Sequence, residues 1–306
     1  MPKAKTRLWQ NHKGPVLDLV KGFEIIACET CGFKHIVPIP SSSELEEIYR
    51  QEYYSKDKPL YLEQHEEDLS WWNCVYAERY ALFESYLPPA RRRILDVGSG
   101  PGYFLLHGLD RGWETIGIEP SSRAAAYSRT LGLMIIEDFF TPQTAERLGT
   151  FDAIHMSEVL EHIPGPKGLL EIAGRLLAPG GLICVVVPND YNPFQDILQK
   201  TCGFAPWWIA PPHHINYFDV ESIQRLLVAA GFDVLHTQTT FPIDIFLLMG
   251  DNYIGNDVLG RQCHARRKTF ELALVSAEAS DLKRRLYQSF AALGIGREVL
   301  VCGRKP

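Results

Sequence analysis

The chain reads as an α/β protein built on a doubly wound, mostly parallel sheet of seven strands. Three observations predict this. A buried strand at Arg93–Val97 runs straight into the glycine turn Gly98-Ser99-Gly100-Pro101-Gly102 and then into a helix from Tyr103. From residue 93 onward strands and helices alternate, the pattern of a parallel sheet covered on both faces. An acid, Glu119, closes the second strand about twenty residues after the first, where such sheets hold a ribose.

The elements follow in order. Residues 1–60 form an N-terminal appendage containing Cys28-Glu29-Thr30-Cys31-Gly32, a zinc-knuckle pattern. A closed zinc site needs four ligands. There is no second Cys-x-x-Cys; His12 and His35 would complete a set, but the spacing does not demand it. Residues 61–240 form the core with a helical lead-in, whose Trp71, Trp72, Val75, Tyr76, Arg79, Tyr80, Phe83 and Tyr86 recur at helical spacing until Pro88-Pro89 stops it. That stripe reads as core packing, and its place before the glycine turn also suits a lid. Strands are expected at 93–97, 114–118, 134–136, 151–156, 182–187, 232–238 and 298–302. Residues 241–297 are long for a crossing and read as a helical cap, with one amphipathic helix from Thr269 through Leu293; residues 298–306 return as the last strand.

The glycine turn offers a close backbone approach and the open N–H groups of a helix start. A dinucleotide fingerprint needs glycine where Tyr103 stands, and a phosphate loop needs Lys-Ser or Lys-Thr, which is absent. Instead Asp96 sits two residues before Gly98, and a carboxylate there suits a cationic ligand and repels a pyrophosphate. The stretch 93–104 resembles motif I of class I S-adenosylmethionine-dependent methyltransferases. Residues 151–163, with Ser157-Glu158-Val159-Leu160-Glu161-His162, resemble motif IV in the form shared by ubiquinone-pathway O-methyltransferases and many sugar methyltransferases. Pro179-Gly180-Gly181 matches that family's turn before its fifth strand.

The resemblance implies a Rossmann-like fold, S-adenosyl-L-methionine as cofactor and a small-molecule acceptor. It assigns Asp96, Gly98, Ser99, Gly100, Gly102 and Tyr103 to the cofactor loop, and Glu119 with Pro120 to the ribose. Asp138 would accept from the adenine amino group while Phe139 packs on the ring, and Ser157 and Glu158 would line the methionine end. An oxygen acceptor must also lose its proton, which a nearby histidine can take. His213 and His214, at the expected rim of the acceptor pocket, are the candidates for that base.

Other expectations attach to the same likeness. Glu158, Glu161 and His162 with a later histidine resemble the divalent-metal set of small-RNA 2′-O-methyltransferases; similar strings occur in metal-free relatives, and no metal is expected here. Sugar methyltransferases resemble the N-terminal segment, with an extended run at 36–40, an acidic helix at 43–49 and Tyr53-Tyr54. They usually carry a second cysteine pair upstream, so a knuckle retained as a β-hairpin is expected. This favours a sugar or nucleotide-sugar acceptor, with Arg261, Arg266, Arg267 and Lys268 as a grip for an anionic group, or as an interface for a homodimer.

Composition limits the alternatives. A net charge of −6 argues against a broad nucleic-acid footprint. The longest apolar runs fall short of a membrane span, and the start lacks an apolar signal core. Seven scattered cysteines, an odd number, then read as free thiols in a reducing cytoplasm. A nicotinamide reductase is disfavoured by Tyr103 and Asp96, and a non-catalytic binding protein by the intact glycine turn and second motif.

Overall fold

The computed structural model describes residues 6–41, 44–45 and 67–306. The expected helix at 43–49 and the Tyr53-Tyr54 pair therefore lie almost wholly outside the described residues. The chain opens with strands β1 (Thr6–Trp9), β2 (His12–Val20), β3 (Phe23–Ala27) and β4 (Lys34–Val37), then helix α1 (Leu69–Tyr86). The core follows as β5 (Arg93–Val97), α2 (Tyr103–Asp110), β6 (Glu114–Ile118), α3 (Ser122–Thr130), β7 (Met134–Ile136), α4 (Pro142–Ala145), β8 (Phe151–Ser157), α5 (Pro166–Leu176) and β9 (Leu177–Pro188). It ends with α6 (Pro193–Cys202), β10 (Asn216–Tyr217), α7 (Val220–Ala229), β11 (Asp233–Thr239), α8 (Asp244–Leu248), α9 (Asp257–Ser276), α10 (Ser280–Ala292) and β12 (Glu298–Arg304).

The main sheet has the order β11-β12-β9-β8-β5-β6-β7. Pairs among β7, β6, β5, β8 and β9 are parallel, and β12 runs antiparallel between β9 and β11. Parallel strands covered on both faces need apolar side chains on both, which is why β5 and β9 read Ile-Leu-x-Val and Leu-Ile-Cys-Val-Val-Val. The chain leaves β5 toward β6 on one side and β8 on the other. That reversal opens a crevice at the carboxyl ends of the central strands, the place where such sheets hold ligands.

Local signals set the helix starts. Asn192 and Gln195 close a capping box ahead of Pro193, and Asp219 and Ser222 close another on α7. Gly102 caps α2 with a left-handed φ of 81°. A Cβ there would lie 2.4 Å from Leu133 Cδ1 and 2.9 Å from Ser128 Oγ. Gly102→Ala is expected to cost about 1–2 kcal/mol from the left-handed backbone alone, read as a lower urea midpoint at unchanged m-value.

One expectation needs correction. The helix drawn through 269–293 is two helices, parted at Ala277-Glu278-Ala279 where Glu278 turns left-handed at φ 54°. In the N-terminal sheet β10 joins the first four strands, in the order β1-β2-β3-β4-β10. The helices of 241–297 lie on the body of the molecule: α10 packs on β11, α9 on α1 and α8 on α6. Among the described residues no helix is long and apolar enough to cross a membrane.

Candidate active site

A cavity of about 380 Å³ fills the crevice beyond β5, β6 and β8, within the range of small-molecule sites. Of the residues the sequence pointed to, it is lined by Asp96, Gly98, Ser99, Gly100, Tyr103, Glu119, Pro120, Phe139, Ser157 and Glu158. Gly102 shapes the helix start behind the wall. Asp138 is also off the wall: its carboxylate accepts from the Phe139 N–H, the Thr144 hydroxyl and Arg147. Short, local donors hold it in that turn, so the ring side of the cavity is formed by Phe139 and Phe140 instead.

The glycine turn is tied to the acid of the second strand. Glu119 Oε2 accepts from Gly100 N–H at 2.8 Å and Oε1 from Ser121 N–H at 2.8 Å. Gly98 and Ser99 N–H both donate to Ile118 O. Gly98 is left-handed at φ 72°, and a Cβ on it would sit 2.8 Å from Val159 Cγ2, so the first and second motifs close on each other only through glycine. Each Glu119 oxygen keeps a second lone pair for an outside hydroxyl. Burial pushes the Glu119 carboxyl up to about 7, opposed by the two N–H groups. Hydroxyls donating to Glu119 favour the ionised form, so ligand binding expels a proton below that pH. Affinity for a ribose-bearing ligand is expected to fall as pH drops through about 7, and to level off above it. Titration of wild type and Glu119→Gln checks this, the variant losing the dependence. Without ligand the raised value acts on stability in the opposite sense: its contribution is present below the ordinary carboxyl range and lost as pH rises toward 7.

Asp96 does not stand alone. Its Oδ1 lies 2.7 Å from His155 Nδ1, and His155 Nε2 lies 3.1 Å from the Arg79 guanidinium on α1. A carboxylate and a guanidinium fix the tautomer: Nδ1–H donates to Asp96 and Nε2 accepts from Arg79. Burial lowers the His155 pKa, leaving a neutral ring between two opposite charges. Arg79 also reaches Ser157 Oγ at 3.4 Å. Asp96 thus has a neutral imidazole between it and the Arg79 guanidinium, and burial favours the protonated form of Glu119. Asp96 and His155 are register partners on β5 and β8, so a histidine inside a buried strand was the available signal. Trp72, Tyr76, Tyr103 and Phe104 complete this wall, so the aromatic stripe of α1 is partly core and partly cavity.

The far end is built by the turn after β8. Glu158 takes a left-handed φ of 56°, a strained conformation for a side-chain-bearing residue. Beyond His155, the histidine that lines the cavity is His162, while His213 and His214, which the sequence favoured, do not line it. His162 Nδ1 lies 2.8 Å from His213 O, so Nδ1 carries the proton and Nε2 the lone pair. His214 packs edge-on against His162, ring centroids 4.9 Å apart. Glu161 is fully buried beside them, its Oε1 3.8 Å from His162 Nε2. Its pKa is raised well above the ordinary range by burial and by the Glu158 charge. Asp190, also buried, is raised by burial against the pull of Arg297.

The basic run of the cap is spent within the protein. Arg261 pairs with Asp68 and Glu67, Arg266 with Asp251, Arg267 with Glu271 and Lys268 with Asp68. An anionic acceptor would have to displace these carboxylates.

The residues fit an adenosyl sulfonium cofactor. Glu119 offers two acceptors to a diol, Phe139, Phe140 and Ile118 offer apolar walls to a base, and Asp96 and Glu158 suit positive charge. Among the described residues the buried Ser99 Oγ has no hydrogen-bond partner, which suits a polar atom that meets a ligand.

The comparisons agree with this geometry. A family model described as a methyltransferase domain matches residues 64–237, more than half of the chain. A ubiquinone biosynthesis O-methyltransferase from Caulobacter sp. (strain K31) is 30% identical over 46% of this chain and 60% of its own length. The chain therefore spans well under two thirds of that relative. In fold it is similar to a magnesium protoporphyrin IX methyltransferase from Synechocystis PCC 6803 with bound S-adenosylhomocysteine, at 10% identity, TM-score 0.51, covering 86% of this chain and 100% of that one. It is likewise similar to a SAM-dependent methyltransferase from Archaeoglobus fulgidus, at 18% identity, TM-score 0.50, covering 76% and 93%. With both motifs meeting across one cavity and the family model spanning them, the chain belongs to the methyltransferase-domain family.

Proposed function

We propose that the protein transfers a methyl group from S-adenosylmethionine to a hydroxyl of a small acceptor. The observation that supports this best is that the His162 imidazole lines the same cavity as Glu119, the acid placed for a ribose. The cofactor, when bound, supplies an electrophilic methyl on a positively charged sulfur. Glu119 and the glycine turn hold its nucleoside end. His162 Nε2 takes the acceptor proton as the oxygen attacks, while the His213 carbonyl keeps the ring in the right tautomer. The aromatic side chains Trp72 and Tyr76 exclude water and favour a ring-bearing acceptor. The sugar or nucleotide-sugar acceptor favoured by the N-terminal likeness remains a branch of the test, since the cap cations are already paired. Assaying labelled-methyl transfer to hydroxylated benzoates and to nucleotide-sugars separates the two. No transfer to any hydroxyl compound, with transfer to amines, would count against an oxygen acceptor.

A second reading rests on a specific cluster. One ligand atom each from Glu161, His162 and His214 lie within 4.8 Å of one another. A carboxylate and two imidazoles suit a divalent ion, which would polarise the acceptor hydroxyl and give the buried Glu161 charge a partner. Under this reading EDTA abolishes transfer and magnesium or manganese restores it. Under the first reading EDTA leaves the rate unchanged. The paired cap cations and net charge of −6 give no support to RNA as the acceptor.

A further inference from the structure

The N-terminal sheet gathers four metal-type ligands far from the cofactor cavity. Cys28 and Cys31 lie in the turn between β3 and β4, His12 begins β2 and His35 lies within β4. One ligand atom of each falls within 4.8 Å of all the others. His12 Nδ1 is 3.3 Å from Cys31 Sγ and 3.7 Å from Cys28 Sγ. A tetrahedral zinc with ordinary bond lengths separates its sulfur and nitrogen ligands by about 3.6 Å. The spacing of these side chains is therefore already that of a ligand shell.

Two details distinguish a built site from a chance cluster. His35 Nδ1 sits 2.8 Å from Ile36 O, so that nitrogen carries the proton and Nε2 holds the lone pair. His35 is 1% exposed, yet its Nε2 has no hydrogen-bond partner. A backbone carbonyl that fixes the tautomer of a ligating histidine is the usual support of a metal site. The Cys31 N–H also points to Cys28 Sγ at 3.5 Å, holding that sulfur in the turn. We infer that His12, Cys28, Cys31 and His35 bind one structural zinc ion. Two thiolates and two neutral imidazoles fill all four positions and leave none for chemistry.

The ion answers a packing need. The β1–β4 layer has only small clusters of its own, one of them Ile26, Cys28 and Val37. So small a core calls for a staple, and metal binding supplies folding free energy. The ion also reaches the active site mechanically. His35 pairs with Asn216 across β4 and β10, and Asn216 Nδ2 donates to Leu160 O and Ile163 O. Those carbonyls flank the turn that presents Glu161 and His162.

The test is metal analysis of the full chain, purified under reducing conditions without chelator. One zinc per chain is expected, retained on dialysis, lost in Cys28→Ser/Cys31→Ser and reduced in His35→Ala. Cobalt substitution is expected to give thiolate-to-cobalt charge-transfer absorption with tetrahedral ligand-field bands, unchanged in His162→Ala. That last arm separates this site from the Glu161 cluster. Should the cysteine variant fail to fold, mercurial titration of wild type is expected to release one zinc for two thiols. Folded, metal-free protein that takes up neither ion, cobalt bound without thiolate absorption, or a Cys28–Cys31 disulfide under these conditions would overturn the inference.

Discussion

His162→Ala is expected to lower methyl-transfer turnover by about 10²–10⁴-fold, the usual contribution of a positioned general base. Affinity for S-adenosylhomocysteine should stay within about twofold, because the ring meets the acceptor end of the cavity and not Glu119. The reason is tautomeric. The His213 carbonyl holds the Nδ1 proton, which leaves the lone pair on Nε2, 3.8 Å from Glu161 Oε1. His214→Ala removes only an edge-on neighbour and should cost far less. Single-turnover rates with saturating cofactor make the comparison. Full activity in His162→Ala with loss in His214→Ala would return the base to the residue that the sequence favoured.

Glu119→Ala is expected to weaken cofactor binding by about 10²–10⁴-fold. Two hydrogen bonds from a ribose diol to a carboxylate are worth roughly 1.5–3 kcal/mol each, and about 1.4 kcal/mol is tenfold. The loss has a second source: Gly100 and Ser121 N–H lose their acceptor, so the glycine turn loosens before any ligand arrives. Glu119→Gln should fall between, since its amide keeps one acceptor and turns a donor toward one of those N–H groups. Calorimetric titration checks the series. Equal affinity across all three proteins would remove Glu119 from the site.

What the sequence revealed and what it hid divide along a physical line. The glycine turn, the strands of the sheet and Glu119 were legible because each depends on neighbours in the chain: glycine for a left-handed backbone, alternation for a parallel sheet, an acid at a strand end. That His162 lines the cavity and His213 and His214 do not was hidden, because side-chain direction there depends on a long-range pairing. The loop before β10 is placed by β4, nearly two hundred residues earlier in the chain, through Asn216↔His35. The Asp96–His155–Arg79 relay needs α1 laid over the first strand, which no local pattern states. The basic run of α9 looked available for a ligand because its partners, Asp68 and Asp251, are remote or lie on a preceding loop. The Cys-x-x-Cys pair looked incomplete for the same reason: its histidines come from two other strands.

Calorimetric titration of the intact chain at pH 8 with S-adenosylhomocysteine, and separately with NADH, tests the assignment of the cavity most directly. The sulfur nucleoside is expected to bind at one site per chain and NADH to give no heat, because the ionised Glu119 and Asp96 oppose a pyrophosphate. Saturable NADH binding, with none for S-adenosylhomocysteine, would contradict the account.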